Sequence, residues 1–133
     1  MSLRSLPLVC LLAIATASPA FAGGSLLYGN WALEELRDGV VTPGVRTTLQ
    51  VEPDGRASGS GGCNSFGGGV TINDNALQFT DIAWTEMACE PATMAQEASF
   101  FAVLAATVKF HAEPGVLVLI DSAGSKLATL RAL

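Results

Sequence analysis

Apolar residues alternate with polar residues along several short segments of the chain. Four such segments cover residues 31–33, 49–51, 70–72 and 77–79. Successive side chains of a β-strand point to opposite faces, so this period of two predicts strands with one buried face each. Segments typical of turns lie between and beyond them: Asp38-Gly39, Pro53-Asp54-Gly55, Asn73-Asp74-Asn75, Glu113-Pro114-Gly115 and Ala123-Gly124. Their spacing indicates a meander of antiparallel hairpins.

The alternation changes phase at Ile82 and Trp84, which occupy the opposite parity from the residues before them. A bulge near Thr80-Asp81 would turn these two side chains back toward the interior. Further along, Val116–Ile120 and residues 127–133 are nearly continuous apolar runs. Runs of this kind are typical of central strands.

Residues 91–108 contain no glycine and are rich in alanine. Apolar side chains recur there at spacings of three and four, which predicts an amphipathic helix that begins near Pro91 or Thr93. We expect Gln96 and Glu97 to face away from the sheet. The apolar stripe consists of Met94, Ala98, Phe101, Leu104, Ala105 and Val108. The simplest interpretation is a helix packed on a sheet, and a detachable partner-binding helix is the alternative.

One predicted helix among many strands disfavours a parallel α/β layout. We therefore predict a mainly β (α+β) fold. It would be a small, curved antiparallel sheet or a lipocalin-like partial barrel, with one helix covering an open end or face.

The first residues follow the order of a secretory signal peptide. Residues 1–4 form a short start with one basic residue, Arg4. Residues 6–17 are almost wholly apolar, and residues 18–22 end in a small-x-small triplet. This order predicts cleavage after Ala22. The apolar run is shorter than the roughly 20 residues of a membrane-spanning helix. We expect a periplasmic or secreted protein.

Cys10 raises the alternative of a lipid anchor, because a bacterial lipoprotein keeps a cysteine as its first mature residue. Val9 stands where such a site needs a small side chain, so we disfavour an anchor at Cys10. The remaining chain, residues 23–133, has the length of a single domain. It contains no second apolar stretch long enough to span a membrane.

Charge and titratable residues argue against several classes of function. The chain has a formal net charge of −5, and its seven Lys and Arg residues are not clustered, which disfavours nucleic-acid binding. The single histidine, His111, lies in a strand-like segment, so a Ser/His/Asp triad is disfavoured. None of the acidic residues has the distinctive setting of a glycosidase pair, and we interpret Asp81, Glu86 and Glu90 as solvated. We predict no enzymatic activity, no cofactor and no metal site.

Two cysteines remain after signal cleavage, Cys63 and Cys89. Export places them in an oxidising compartment, and two cysteines permit one pairing. The chain has no C-x-x-C motif, and four good zinc ligands are hard to assemble from its residues. A structural disulfide is therefore favoured over free or reactive thiols.

Residues 59–69 form a glycine-rich segment that resembles a phosphate-binding loop only superficially. A phosphate loop needs a Gly-Lys-Ser/Thr sequence and a dinucleotide loop needs a following helix, whereas strand-like residues 70–72 follow here. Glycines also allow sharp turns and close approach of the backbone. We expect Asn64 to satisfy backbone groups of this bend with its side chain, and Phe66 to insert as an anchor.

Two motifs stand around the cysteines. The first is Gly61-Gly62-Cys63-Asn64-Ser65-Phe66-Gly67-Gly68, and the second is Thr85-Glu86-Met87-Ala88-Cys89. Together with Leu77-Gln78-Phe79, Met94-Ala95-Gln96-Glu97 and residues 100–104, they resemble the META domain, the HslJ-like family of bacterial envelope proteins. The resemblance covers about residues 27–130, and we expect a single META (HslJ-like) domain over residues 23–133.

The resemblance implies a compact β-rich, lipocalin-like or half-barrel domain with a helix. It also implies an association with heat or envelope stress, antibiotic tolerance and, in some members, secretion or motility, without known catalytic residues. The motif residues would have structural roles: Gly61, Gly62, Asn64, Phe66, Thr85, Met87 and Ala88.

Three functional hypotheses follow. The first is a non-enzymatic, monomeric envelope protein that supports heat, envelope-stress or antibiotic tolerance through contacts with another protein. The second is a small-ligand-binding barrel whose mouth is lined by Phe66, Trp84, Phe100 and Phe101. The third is a secreted inhibitor of a hydrolase that uses residues 59–69 as a rigid exposed loop.

Overall fold

A computed structural model of the protein describes Ser5 and residues 26–133. The predicted signal peptide, with Cys10 and the cleavage site after Ala22, lies outside the described residues apart from Ser5. No helix within the described part of the chain is long and apolar enough to cross a membrane. The elements in chain order are β1 (Gly29–Leu36), β2 (Thr48–Val51), β3 (Arg56–Ser60), β4 (Ser65–Asn73), β5 (Ala76–Trp84), α1 (Pro91–Ala106), β6 (Lys109–Glu113), β7 (Val116–Ile120) and β8 (Lys126–Ala132).

The eight strands form one antiparallel sheet that closes on itself. Each strand pairs with the next one in sequence, and β8 pairs with β1 to complete a closed barrel. The predicted fold class, a mainly β protein with a curved antiparallel sheet and one helix, is confirmed. The ring is complete, whereas the predicted fold class was a curved sheet or a partial barrel.

The seam between β5 and β6 is the shortest pairing in the ring. Ala76 opposite Lys109 is its one paired position. Two flanking backbone bonds extend it, from Leu77 N to the oxygen of Val108 and from Phe110 N to the oxygen of Asn75, both 3.0 Å long. Beyond this seam, the C-terminal half of β5 pairs only with β4 within residues 26–133.

The core lies inside the ring, where the period-two pattern placed it. The inward residues of the first five strands are buried: Trp31, Leu33, Leu49, Val51, Ala57, Phe66, Val70, Leu77 and Phe79. Residues Leu117, Leu119 and Leu130 fill the same interior from β7 and β8. The alternation predicted these buried residues correctly, because a closed ring buries one face of every strand.

The predicted bulge in β5 is confirmed. Gly67 pairs with Ala83 but Gly69 pairs with Thr80, so β5 gains an extra residue between these two positions. Asp81 within the bulge has a φ of 53°. Such a bulge reverses which side chains point inward along the rest of the strand.

The consequence of the bulge is only partly as predicted. Ile82 is half-buried and packs against the core. Trp84 pairs with Phe66 and lies on the same face of the sheet, but it remains 48% exposed, so it is not buried in the interior. Its indole stacks on the ring of Phe101 at a centroid distance of 4.5 Å, because α1 occupies the end of the ring toward which Trp84 points.

Helix α1 begins at Pro91 as predicted, but it is rotated relative to the predicted stripe. Gln96 and Glu97 are 1% and 3% exposed, whereas Ala98 and Ala105 are exposed. The assignment of Gln96 and Glu97 to the outer face is therefore wrong. Apolar residues occur on most sides of α1, so their spacing does not select one face. The end of the ring that α1 covers presents polar loop groups, which polar side chains must satisfy.

An ion pair ties the end of β1 to the turn between β7 and β8. Arg37 Nη1 donates to Asp121 Oδ2 at 2.8 Å. Asp121 Oδ1 also accepts bonds from the backbone amides of Ser125 and Ala123, at 2.9 and 3.0 Å. The bond from Arg37, followed by the bond from Ser125, holds the pKa of Asp121 below its ordinary value of 3.8.

We expect the Asp121→Asn variant to lose stability less steeply than the wild type as the pH falls below about 4. A depressed pKa means that folding favours the charged carboxylate, so its contribution is present above the ordinary carboxyl pKa. That contribution disappears as the pH falls through the lower folded-state pKa. Urea unfolding at a series of pH values measures the slope of the free energy of unfolding against pH. Asp74→Asn, which removes an exposed turn carboxylate, should keep the wild-type slope, and equal slopes for all three proteins would contradict the prediction.

Candidate functional site

A disulfide joins Cys63 to Cys89, with their Cα atoms 5.9 Å apart. This separation lies in the usual range for disulfides. The bond connects the turn between β3 and β4 to the segment between β5 and α1, so it holds the two sequence motifs together. The predicted pairing is confirmed.

The side chain of Asn64 makes a second connection between the same two segments. Its Nδ2 donates to the backbone oxygen of Met87 at 3.1 Å, and its Oδ1 accepts bonds from Met87 N at 2.7 Å and Thr85 Oγ1 at 2.9 Å. A further Nδ2 bond of 2.7 Å reaches Glu97 Oε2. The amide thus makes four hydrogen bonds, its full ordinary capacity. Asn64 satisfies backbone groups as predicted, but they belong to the second motif and not to its own bend.

Glu97 reaches from α1 into the turn between β3 and β4. Its Oε1 accepts bonds from the backbone amides of Cys63 and Asn64, at 3.2 and 2.5 Å. Glycine is needed beside it, because a Cβ on Gly61 would lie 2.5 Å from Glu97 Cγ. Sequence periodicity missed this contact, and the only signal for it was the place of Glu97 in the Met94-Ala95-Gln96-Glu97 motif.

Gln96 connects α1 to the segment between β1 and β2. Its Oε1 accepts a bond from Thr42 N at 2.7 Å, and its Nε2 donates to Thr47 Oγ1 at 2.9 Å. Thr47 Oγ1 in turn donates to the backbone oxygen of Gly61 at 2.7 Å. Gln96 and Glu97 therefore fix α1 over one end of the ring, with both motifs beneath it.

The four aromatic residues predicted to line a pocket come together, but they pack against one another. The ring of Phe66 lies 5.9 Å from that of Phe100 and 5.6 Å from that of Phe101. Phe66 and Phe100 are buried in the core. A ligand pocket lined by these two residues stays a prediction, since their side chains belong to the packed core.

Trp84 and Phe101 instead line an external groove of about 610 Å³, which we call the apolar groove. One wall is the segment between β5 and α1, and the other is an outer face of α1. Met87 is 58% exposed on the first wall. The lining residues are Asn64, Trp84, Thr85, Glu86, Met87, Ala88, Met94, Glu97, Ala98, Phe101 and Ala102. The motif residues Asn64, Thr85, Met87 and Ala88 thus border this surface.

The chemistry of these side chains suits binding by shape and apolar contact. Within residues 26–133 there is no group of three or more His, Cys, Asp or Glu side chains placed to hold a metal ion. His111 is exposed on β6, and its Nε2 lies 3.1 Å from Oε1 of Glu113. Asp81, Glu86 and Glu90 are exposed, as predicted.

The family model of the META domain matches residues 24–133. The chain belongs to the META domain family. The resemblance read from the two cysteine motifs is thereby confirmed. The META domain is not a known family of enzymes. No curated protein matches this META domain at a significant level.

Solved structures share the fold of this META domain. An NMR structure of a protein from Burkholderia xenovorans is 25% identical, with a TM-score of 0.67 over 86% of this chain and 88% of that chain. A second protein solved by NMR is 20% identical, with a TM-score of 0.63 over 81% of this chain and 92% of that chain. A crystal structure of a DUF4847 family protein from Bacteroides vulgatus is 14% identical, with a TM-score of 0.57 over 79% of this chain and 92% of that chain. At these identities the last two show likeness of fold alone.

Proposed function

We propose that this META domain is a non-enzymatic, exported protein of the bacterial envelope that supports heat, envelope-stress or antibiotic tolerance through contacts with another protein. The observation that carries the proposal is the apolar groove. Trp84 and Met87 expose about half of their surfaces there, and large apolar side chains gathered in one exposed patch are typical of binding surfaces.

The frame of the groove supports the same function. The disulfide, Asn64 and Glu97 hold one wall of the groove to the ring, and the buried face of α1 holds the other. A rigid surface loses little conformational entropy when a partner binds. The disulfide also fits export, because such bonds persist in oxidising compartments.

The two other hypotheses have less support from the geometry. A small-ligand site within the ring would need space that the core residues occupy, as Phe66 and Phe100 do. A hydrolase inhibitor would need residues 59–69 as an exposed loop. These residues lie mainly in β3 and β4, and the turn between them is held under α1 by Glu97.

We expect a strain without this protein to be more sensitive than its parent to heat, detergent and antibiotics. Plasmid copies of the wild type and of Val40→Ser should restore tolerance, whereas Met87→Ser should restore it poorly. Val40 is a suitable control because it is 75% exposed and lies outside the apolar groove. Plating efficiency under each stress is the measurement, with immunoblots of the exported protein to confirm equal amounts. Unchanged sensitivity of the deletion strain would reject the proposed role in tolerance.

A further inference from the structure

Charge is distributed unevenly along this chain. Residues 57–108 contain no Lys, Arg or His. The same segment carries five carboxylates, those of Asp74, Asp81, Glu86, Glu90 and Glu97. It forms most of β3 and all of β4, β5 and α1, together with their connections. Both walls of the apolar groove therefore belong to a segment without a single basic side chain.

Six of the seven carboxylates outside this segment lie within 4.0 Å of a basic side chain. Glu34 pairs with Arg131, Glu35 with Lys126 and Asp121 with Arg37. Asp38, Glu52 and Glu113 also lie beside basic side chains. Four basic side chains, those of Arg37, Arg56, Lys126 and Arg131, are thus engaged with carboxylates outside residues 57–108.

The exposed carboxylates of residues 57–108 include three without such partners. None of the ion pairs formed within residues 26–133 involves Asp81, Glu86 or Glu90, and all three are exposed. Glu86 lines the groove itself, and Glu90 is the N-cap residue of α1 beside it. The groove is therefore an apolar surface with uncompensated negative charge at its border.

From this combination we infer that the apolar groove binds a cationic segment of another polypeptide, one that carries apolar side chains between its Lys or Arg residues. The inference rests on the proposed function and specifies the chemistry of the partner. The groove volume of about 610 Å³ is enough for several side chains. Its negative border repels nucleic acids and anionic lipid surfaces and attracts a basic partner.

The exposed residues of the groove match such a partner. Met87 and Met94 have flexible, polarisable side chains that adapt to different apolar shapes. The exposed indole of Trp84 attracts a Lys or Arg placed over its ring as well as aliphatic carbons. The carboxylate of Glu86 lies beside these groups and provides the opposite charge.

Fluorescence titration of the purified, oxidised protein tests the inference directly. The protein has two tryptophans, of which Trp31 is 3% exposed and Trp84 is 48% exposed, so changes in solvent access report mainly on Trp84. The probe is a synthetic twelve-residue peptide of alternating Lys and Leu. Two control peptides replace every Lys by Glu or every Leu by Ser. We expect the Lys/Leu peptide to shift the emission to shorter wavelengths and to reduce quenching by acrylamide, with both controls much weaker.

Variants assign the binding to the groove. Glu86→Lys should weaken binding of the Lys/Leu peptide by about five- to tenfold, whereas Glu113→Lys, an equal charge change outside the segment, should have little effect. Binding should also weaken between 0.1 and 1 M salt, where screening shortens from about 10 to about 3 Å.

Several results would overturn the inference. One is that the Glu/Leu or the Lys/Ser peptide binds as tightly as the Lys/Leu peptide. Another is that Glu86→Lys and Glu113→Lys weaken binding equally. A third is that the protein prefers vesicles of anionic phospholipid to the Lys/Leu peptide. If no peptide binds while Met87→Ser still fails to restore stress tolerance, the partner chemistry is wrong and the proposed function stands. If the deletion strain is unaffected but the peptide binds with these preferences, the role in tolerance is wrong and the groove assignment stands.

Discussion

Replacing Glu97 by alanine should lower the free energy of unfolding by about 3–5 kcal/mol, because three hydrogen-bond donors, two of them buried, each lose a bond to its carboxylate. These donors are the backbone amides of Cys63 and Asn64 and the side-chain amide of Asn64. Each buried donor without a partner costs about 1–3 kcal/mol, and water that enters the space left by the side chain offsets part of the total. The loss would also release α1 from the turn between β3 and β4.

Glu97→Gln separates the hydrogen bonds from the loss of packing. Its carbonyl oxygen still accepts the bonds of the two backbone amides, but its NH₂ group faces the donor Nδ2 of Asn64. We expect a loss of about 1–3 kcal/mol. Glu86→Ala, which removes an exposed carboxylate, should change stability by less than about 0.5 kcal/mol. Urea unfolding of the oxidised proteins, followed by circular dichroism, measures all three values. Similar small losses for Glu97→Ala and Glu86→Ala would show that Glu97 does not hold the turn.

Removal of the disulfide should have the second large effect. Cys63→Ser and Cys89→Ser should each lower the free energy of unfolding by about 3.5 kcal/mol, the chain-entropy estimate for the loop that the bond closes. The double variant should lose little more than either single variant, because one bond is lost in every case. Additive losses, or two free thiols in the oxidised wild-type protein, would refute the pairing.

Glu97 and the disulfide hold the same turn, so their effects should not add. The amide of Cys63 is itself a donor to Glu97. Once the disulfide is gone, the turn is freer to move and the Glu97 bonds contribute less. Combining Glu97→Ala with Cys63→Ser should therefore cost less than the sum of the two single losses. A fully additive result would show that the two connections act independently.

The sequence predicted those features that depend on local pattern. Leu49 and Val51 are buried because their alternation with polar residues is the alternation of the strand itself. The bulge at Asp81 was visible as a change of phase within one strand. The disulfide was predictable because export and two cysteines leave one pairing.

The features that the sequence did not predict depend on contacts between distant segments. Which side of α1 is buried is decided by the polar groups of Thr47 and Asn64, which belong to other elements. Local spacing contains no information about them, so Gln96 and Glu97 were assigned to solvent. Burial of Trp84 was predicted for the same reason, since the pattern of β5 contains no information about Phe101 of α1, on which the exposed indole stacks.

The pairing of β8 with β1 sets a condition on when the chain can fold. β1 and β8 are the first and last strands in the chain order of the ring, and each is the hydrogen-bonding partner of the other. During synthesis the free edge of β1 stays unpaired until the ribosome has completed β8. Pairings between segments so distant in sequence also form slowly. The ring therefore cannot close, and its interior stays accessible to water, until the final strand has been made.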